Sequence, residues 1–234
     1  MQLLVALLRE LCNHWLRIIR LHTYPRQEMT MTTTPSRLFI AAMQVTVDGY
    51  ALGADGQADW VDSWADGLEL LPRVDAFVLG GGMFPGYGQF WAAIGQDPAT
   101  AAQWLGRDIY PREIEYARVA AETPHLVLST TLGDTTWPTA RIVRDLDALR
   151  AFKTQPGEAV YVVGGPGLVK SLVNEALLDE LRLIVHPVAA GAGTALLAGI
   201  ARRQALQLID SERTATGRVH LTYRLPEYRL ADAQ

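Results

Sequence analysis

The chain has few of the residues that mark several large protein classes. It has a single cysteine, Cys12, in 234 residues, so it can form no internal disulfide and fits a reducing compartment. Its net charge of −4 and its lack of basic clusters disfavour nucleic-acid binding. No histidine, cysteine, aspartate or glutamate spacing suggests a metal site. We therefore expect a cytoplasmic protein that holds no metal and binds no nucleic acid.

The first 35 residues differ from the rest of the chain. Apolar residues recur there at helical spacing beside Arg9, Arg17 and Arg20, which is typical of an interfacial or docking helix. The segment is too short and too charged to span a membrane. We predict that residues 1–35 form a dispensable N-terminal extension, with the natural start at Met29 or Met31, and that the protein has no membrane partner.

Residues 36–228 have the pattern of one α/β domain. Over the whole chain, 49% of residues are hydrophobic and 20% are charged, as in globular proteins with a sizeable core. Strand-like and helix-like segments alternate, and two alternating segments around Thr216-Gly217 end the domain as a hairpin. The pattern predicts a three-layer α/β/α fold with a mostly parallel central sheet and a C-terminal antiparallel hairpin.

One segment has the form of a phosphate-binding turn. The strand-like run Ala159–Val163 is followed by Gly164-Gly165-Pro166-Gly167 and then by apolar residues at helical spacing. Glycines let a phosphate approach the backbone, and the N-terminus of the next helix favours an anion. The alternative, a strand-to-helix turn that binds nothing, stays open. A dinucleotide fingerprint would need a third glycine at Lys170, so that motif is excluded.

The sequence from this turn onward resembles that of a known family. The chain continues as Gly-Gly-x-x-Leu-Val-x-x-Leu, then Asp-Glu-Leu-Arg-Leu, His-Pro-Val and Gly-x-Gly within Val163–Gly193. Together with Arg37–Gly49, this order resembles the reductase domain of the bifunctional riboflavin-biosynthesis deaminase-reductase, within the dihydrofolate-reductase-like superfamily. The resemblance covers Ser36–Pro226. The deaminase half of that enzyme needs a zinc site with two cysteines, which this chain cannot build.

The resemblance implies a reductase with a small-molecule substrate. It predicts hydride transfer from NADPH, with NADH as an alternative, to a C=N or C=O of a ribosylaminopyrimidine- or pterin-like compound. The implied activity is like that of 5-amino-6-(5-phosphoribosylamino)uracil reductase. Two other interpretations stay open: a reductase of the same fold with an unrelated substrate, and a nucleotide-binding module without catalysis.

The resemblance also implies the site residues. Asp48, at the end of the first strand, is the expected catalytic carboxylate that orients the substrate or a water, although an Asp-Gly turn without chemistry is an equal alternative. The expected cofactor contacts are Ala42, Gly49, Gly80, Gly81, Gly82, Ser129, Thr130, Gly164, Gly165, Gly167 and Leu168. Relatives carry phosphate-binding arginines where this chain has Gly81 and Thr130, so we expect a weak preference for NADPH over NADH. Arg141 or Arg144 could substitute.

The C-terminal hairpin suggests how the protein assembles. Val219, Leu221, Tyr223 and Leu225 alternate with polar residues, which gives an edge hairpin more apolar surface than it should leave exposed. A two-fold contact covers such a surface by using one patch twice. We predict a homodimer to which this hairpin contributes.

Overall fold

The computed structural model of the chain describes residues 36–226. The strands within them are β1 (Leu38–Thr46), β2 (Tyr50–Leu52), β3 (Val74–Gly80), β4 (His125–Leu128), β5 (Ala140–Val143), β6 (Ala159–Val162), β7 (Glu180–His186), β8 (Thr194–Ala195), β9 (Gln207–Arg213) and β10 (Val219–Arg224). The helices are α1 (Asp66–Glu69), α2 (Phe84–Gln96), α3 (Pro98–Leu105), α4 (Pro111–Glu122), α5 (Leu146–Lys153) and α6 (Pro166–Asn174).

Eight of these strands form one sheet in the order β5-β4-β3-β6-β1-β7-β10-β9. The strands from β5 to β7 are parallel, and β10 is antiparallel to both of its neighbours. The β9–β10 hairpin turns at Gly217, whose φ of 81° favours glycine. The three-layer fold with its mostly parallel sheet and antiparallel C-terminal hairpin is therefore confirmed.

The order of the strands explains why both faces of the sheet are covered. The chain proceeds from β1 through β3 and β4 to β5, and then returns through β6 to β7. Because parallel crossovers are right-handed, these two directions place their helices on opposite faces. Trp91 of α2 and Tyr116 of α4 pack with Phe77, whereas Leu149 of α5 and Leu172 of α6 belong to the core on the other face.

This topology creates a crevice between β3 and β6. The two strands are neighbours, but the helices that come after them, α2 and α6, lie on opposite faces. Ligands of open α/β sheets bind at such switch points, beyond the carboxyl ends of the strands. The turn after β6, which has the form of a phosphate site, lies at this crevice.

Several elements differ from the sequence prediction. The apolar spacing of Trp64, Leu68 and Leu71 in the sequence predicts a helix, but the structure has only the four residues of α1 there. The sequence also predicts a helix-rich stretch over Gln89–Glu122, and in the structure its first helix, α2, starts at Phe84. The sequence pattern does not predict β5. The predicted extension, 1–35, and residues 227–228 of the predicted domain lie outside the described residues. No helix within 36–226 has the length and apolarity needed to cross a membrane.

Candidate functional site

A cavity of about 410 Å³ opens at the crevice between β3 and β6. Ala42 and Gln44 line it from β1, Gly164 and Gly165 from the turn after β6, and Met83 from the segment after β3. Its volume is within the range of about 300–1,000 Å³ that ligand sites occupy. The cavity therefore has the place and the size of a small-molecule site.

One wall of the cavity is aromatic. Tyr87, Phe90 and Trp91 line it from α2, and Tyr116 from α4. Trp91 stacks on Tyr116 with ring centroids 4.0 Å apart, and the Tyr87 hydroxyl contacts the ring of His125 behind the wall. Because packing holds these rings in place, the wall offers fixed, flat apolar surfaces to a ligand.

Trp64 adds a ring at the mouth of the cavity, where 51% of its surface is exposed. Its neighbour Ser63 is buried and is held from two sides. The Ser63 hydroxyl donates to Oε1 of Glu113 at 2.9 Å, and the Ser63 carbonyl accepts from Nε2 of Gln44 at 2.7 Å. The segment that carries Trp64 is thereby anchored to α4 and β1.

The anchor depends on a buried charge. Glu113 is fully buried, and Arg107 donates to both of its oxygens, at 2.8 and 2.9 Å. Burial raises the pKa of Glu113, but hydrogen bonds from Arg107, the Tyr110 N–H and Ser63 outweigh it and lower the pKa below its usual 4.5. The carboxylate is therefore ionised at neutral pH and holds Ser63 with a charge-assisted bond.

Gln44 is bound at both ends of its amide. Its Oε1 lies 2.9 Å from Nε2 of the buried His186, and its Nε2 donates to Ser63. Burial, together with the positive charge of Arg218, lowers the pKa of His186, so the imidazole is neutral and its Nε2 donates. These two partners fix the orientation of the one amide side chain that lines the cavity.

The glycines of the turn before α6 serve different purposes. A Cβ on Gly164 would lie 2.6 Å from the Leu168 side chain, whereas a Cβ on Gly165 or Gly167 would meet no atom within 4 Å. Gly165 has φ −70° and ψ 173°, which any residue can adopt. Close packing therefore explains Gly164, but neither packing nor backbone strain explains Gly165.

This turn also has free hydrogen-bond donors. Within residues 36–226, the N–H groups of Gly165 and Gly167 have no acceptor, as is usual in the first turn of a helix. The positive end of the helix dipole adds to them. Leu168, by contrast, places its side chain in the core and its N–H donates to the Gly165 carbonyl.

The turns after β3 and β4 continue the same edge of the sheet. A Cβ on Gly81 would lie 2.4 Å from the Ser129 side chain, so the two turns are in contact, while Gly80 and Gly82 have open space. The Ser129 hydroxyl accepts from the N–H of Leu132 within its own turn. Arg144 donates to the carbonyls of Ser129 and Leu132 at 2.9 and 2.7 Å, which puts its guanidinium beside this turn.

Asp48 has a structural role in the turn after β1. Its exposed carboxylate accepts from the Thr46 hydroxyl at 2.5 Å and from the N–H groups of Ala190 and Gly191 at 3.1 and 2.8 Å. The Thr46 hydroxyl and the Gly191 N–H lower the pKa of Asp48 to about 2. The next residue, Gly49, has φ 85°, which a turn glycine supplies.

The structure brings together part of the predicted set. Ala42, Gly164 and Gly165 line the cavity, and the turns that hold Gly80–Gly82 and Ser129–Thr130 lie along the same edge. Asp48, Gly49, Gly167 and Leu168 are not among the residues that line the cavity. These roles stay predictions.

Three residues that line the cavity are not predicted from the sequence: Gln44, Trp64 and Tyr161. Within the described residues, no cluster of ligating side chains could hold a metal ion.

Comparison with known proteins gives a family match over most of the chain. The family described as RibD C-terminal domain matches residues 37–220. The uncharacterized protein YyaP of Bacillus subtilis strain 168 is 27% identical over 191 residues, which cover 80% of this chain and 94% of that protein.

Solved structures of similar fold include three bacterial proteins. A candidate riboflavin biosynthesis protein from Shewanella sp. PV-4 has a TM-score of 0.57 at 20% identity, and the match covers 81% of this chain and 99% of that one. A pyrimidine reductase-like protein from Corynebacterium diphtheriae has a TM-score of 0.51 at 16% identity, covering 86% and 96%. The deaminase/reductase of Thermotoga maritima has a TM-score of 0.53 at 12% identity, covering 82% of this chain and 57% of that bifunctional chain.

Proposed function

We propose that this chain, which belongs to the RibD C-terminal domain family, is a reductase of the riboflavin-biosynthesis type. It transfers a hydride from NADPH to a C=N or C=O of a ribosylaminopyrimidine- or pterin-like compound. The observation that carries the proposal is the glycine at position 165. It lines the cavity at the N-terminus of α6, and within residues 36–226 no contact or dihedral angle requires a glycine there.

A phosphate accounts for this glycine. A side chain at position 165 would fill the space through which an anion reaches the free N–H groups of Gly165 and Gly167. A strand-to-helix turn that binds nothing would need Gly164, which packs on Leu168, but not Gly165. The residues present thus fit the pyrophosphate of a nicotinamide cofactor.

The other turns at this edge of the sheet fit the part of the nicotinamide cofactor that lies beyond the pyrophosphate. The ends of β4, β3, β6 and β1 lie side by side, and adjacent strands are about 4.8 Å apart, so they span roughly 15 Å. The turn with Ser129 and Thr130 lies at the far end of this row. Arg144, which is bound to that turn through Nη1, supplies the positive charge that Thr130 does not.

The cofactor supplies the hydride, and the chain positions the reacting groups and excludes water from them. The rings of Trp64, Tyr87, Phe90 and Trp91 exclude water from the cavity. The Gln44 amide offers one directed polar group to a substrate ring. Asp48 lies outside the cavity lining, and its low pKa keeps it ionised, so it acts by accepting hydrogen bonds and by holding the turn after β1 against Ala190 and Gly191.

One observation favours a second candidate, a nucleotide-binding module without catalysis. None of the described residues that line the cavity has an ionisable acid or base other than tyrosine, so no strong proton donor faces the substrate. A reductase would then take its proton from water. Oxidation of NADPH across a panel of cyclic imines and carbonyl compounds separates the two. Turnover with one compound supports the reductase, and NADPH binding without turnover supports the module.

We also propose that the protein is a homodimer. Leu181 of β7, Tyr223 of β10 and Leu208 of β9 are opposite one another and share one face of the sheet. Leu181 is buried, Tyr223 is half-buried, and Leu208 is 51% exposed at the edge strand. The apolar core thus continues outward to a surface that a second copy would cover.

A further inference from the structure

The lining of the cavity lacks charge. Of the described residues that form it, none is an aspartate, glutamate, lysine, arginine or histidine. Glu113, which holds the Ser63 segment, is paired with Arg107 at 2.8 Å. A ligand in this cavity therefore meets no opposite charge on a side chain.

Two hydroxyl groups and the amide of the lining already have hydrogen-bond partners within the protein. The Tyr87 hydroxyl is bound to His125 at 3.1 Å, and the Tyr161 hydroxyl is directed to the Ala42 carbonyl at 3.5 Å. Gln44 uses both ends of its amide for Ser63 and His186. The faces of the rings and the unused hydrogen-bonding capacity of one amide remain for a ligand.

An ionised group is strongly disfavoured in such surroundings. A carboxylate or phosphate loses its hydration on entry and gains no arginine or lysine in return. Phosphate recognition depends on such cations or on clusters of free N–H groups. N–H groups of the glycine turn that have no acceptor within residues 36–226 border the cavity, and the proposed function assigns them to the cofactor.

We propose that the compound bound in this cavity is a flat, uncharged ring system that carries no phosphate or carboxylate. This inference rests on the proposed function and narrows its substrate class from phosphorylated ribosylaminopyrimidines to neutral pterin-like rings. The aromatic wall on α2 and the Trp64 ring at the mouth provide stacking surfaces. The orientation of the Gln44 amide is fixed by its two partners, and the amide forms a hydrogen bond with one edge of the ring.

Matched pairs of compounds test whether the cavity prefers uncharged ligands. Riboflavin and flavin mononucleotide differ by one phosphate, and lumazine and lumazine carboxylate differ by one carboxylate. We expect calorimetry of the full chain, with saturating NADP⁺ to occupy the glycine turn, to give affinities at least about tenfold higher for the neutral member of each pair. Equal or tighter binding of the charged members, or no binding of either neutral member, would overturn the proposal.

A charge placed at the rim provides a second measurement. Met83 lines the cavity and is 37% exposed. Met83→Lys should raise the affinity for flavin mononucleotide relative to riboflavin about tenfold, and Met83→Gln should not. An equal change in both variants would contradict the inference. A separate NADPH titration of the same protein, without any ring compound, tests the proposed function by itself.

Discussion

The Tyr87 hydroxyl donates a hydrogen bond of 3.1 Å to Nε2 of His125, behind the aromatic wall of the cavity. The direction of this bond is set by the other ring nitrogen. Nδ1 lies 2.8 Å from the Thr123 carbonyl, which can only accept, so Nδ1 carries the proton. Burial lowers the pKa of His125 from 6.5 to about 4. The imidazole is thus neutral in the folded protein, and its protonation would remove Nε2 as the acceptor for the Tyr87 hydroxyl.

This relationship predicts how stability depends on pH. Between pH 4 and 6.5 the unfolded chain binds a proton at His125 and the folded chain does not, so stability falls as the pH is lowered through this range. From pH 6.5 to 4.5 the titration of His125 should lower the free energy of unfolding by about 2 kcal/mol. Urea unfolding across this range measures it. His125→Gln, which cannot titrate, should show a shallower dependence, and an unchanged slope would contradict the burial of a neutral imidazole.

The second prediction concerns the choice of cofactor. Without arginines at Gly81 and Thr130, wild-type affinity for NADPH should exceed that for NADH by less than about a hundredfold, or 3 kcal/mol. Arg144→Gln should reduce this ratio toward one, because Arg144 lies beside the Ser129 turn. Arg141→Gln is the control, since the Arg141 guanidinium lies over the Phe152 ring. A larger effect of the Arg141 substitution would reverse the assignment.

The third prediction concerns Asp48. With a pKa of about 2 it cannot donate a proton near neutral pH, where an efficient general acid has its pKa. Asp48→Asn should therefore lower kcat less than about tenfold and leave its pH dependence unchanged, because general acid catalysis contributes about 10²–10⁴-fold. The measurement is the pH profile of kcat in both proteins. A thousandfold loss together with a shifted profile would make Asp48 the proton donor.

The fourth prediction tests the dimer. Leu208→Lys places a charge at the exposed edge of the sheet face that Leu208 shares with Tyr223 and Leu181, and it should convert the protein to a monomer, as measured by light scattering. Gln207→Lys is the matched control, because Gln207 is also exposed but points to the opposite face of the same strand. A wild-type monomer at all micromolar concentrations would refute the dimer. A dimer that persists in the Leu208 variant would move the interface elsewhere.

Long elements covered on both faces can be predicted from the sequence, and short edge elements cannot. The sequence predicts β1 over Arg37–Val47, and the strand occupies Leu38–Thr46, because a run of mostly buried positions leaves a strong apolar signal. β5 has four residues at the sheet edge with exposed Arg141 among them, so it has no such signal. The segment from Phe84 to Gly88 has the composition of a pocket loop. It begins α2 instead, where Pro85 occupies a position whose N–H needs no acceptor.

The candidate site can be predicted only where its signal is local. Gly164 and Gly165 stand between a strand pattern and a helix pattern, and this order is typical of a ligand turn at the carboxyl end of a strand in an α/β sheet. Tyr161 and Gln44 have no such local signal. They lie on strands that are buried on both faces, so the sequence does not show which of the two faces borders a cavity. Trp64 cannot be identified from the sequence because its position depends on the long-range contacts of Ser63 with Glu113 and Gln44.

The most direct measurement is calorimetric titration of NADPH into wild-type protein and into Gly165→Val and Gly165→Ala. A Cβ atom at position 165 would meet no atom of residues 36–226 within 4 Å, so the melting temperature should change little, while the added side chains block the approach of a phosphate to the N-terminus of α6. Gly95→Ala on α2, where the new methyl makes an ordinary contact with Ala117, is the control and should bind like wild type. We predict at least about tenfold weaker binding for Gly165→Ala and none for Gly165→Val. Wild-type affinity in a folded Gly165→Val variant would contradict the account of this site.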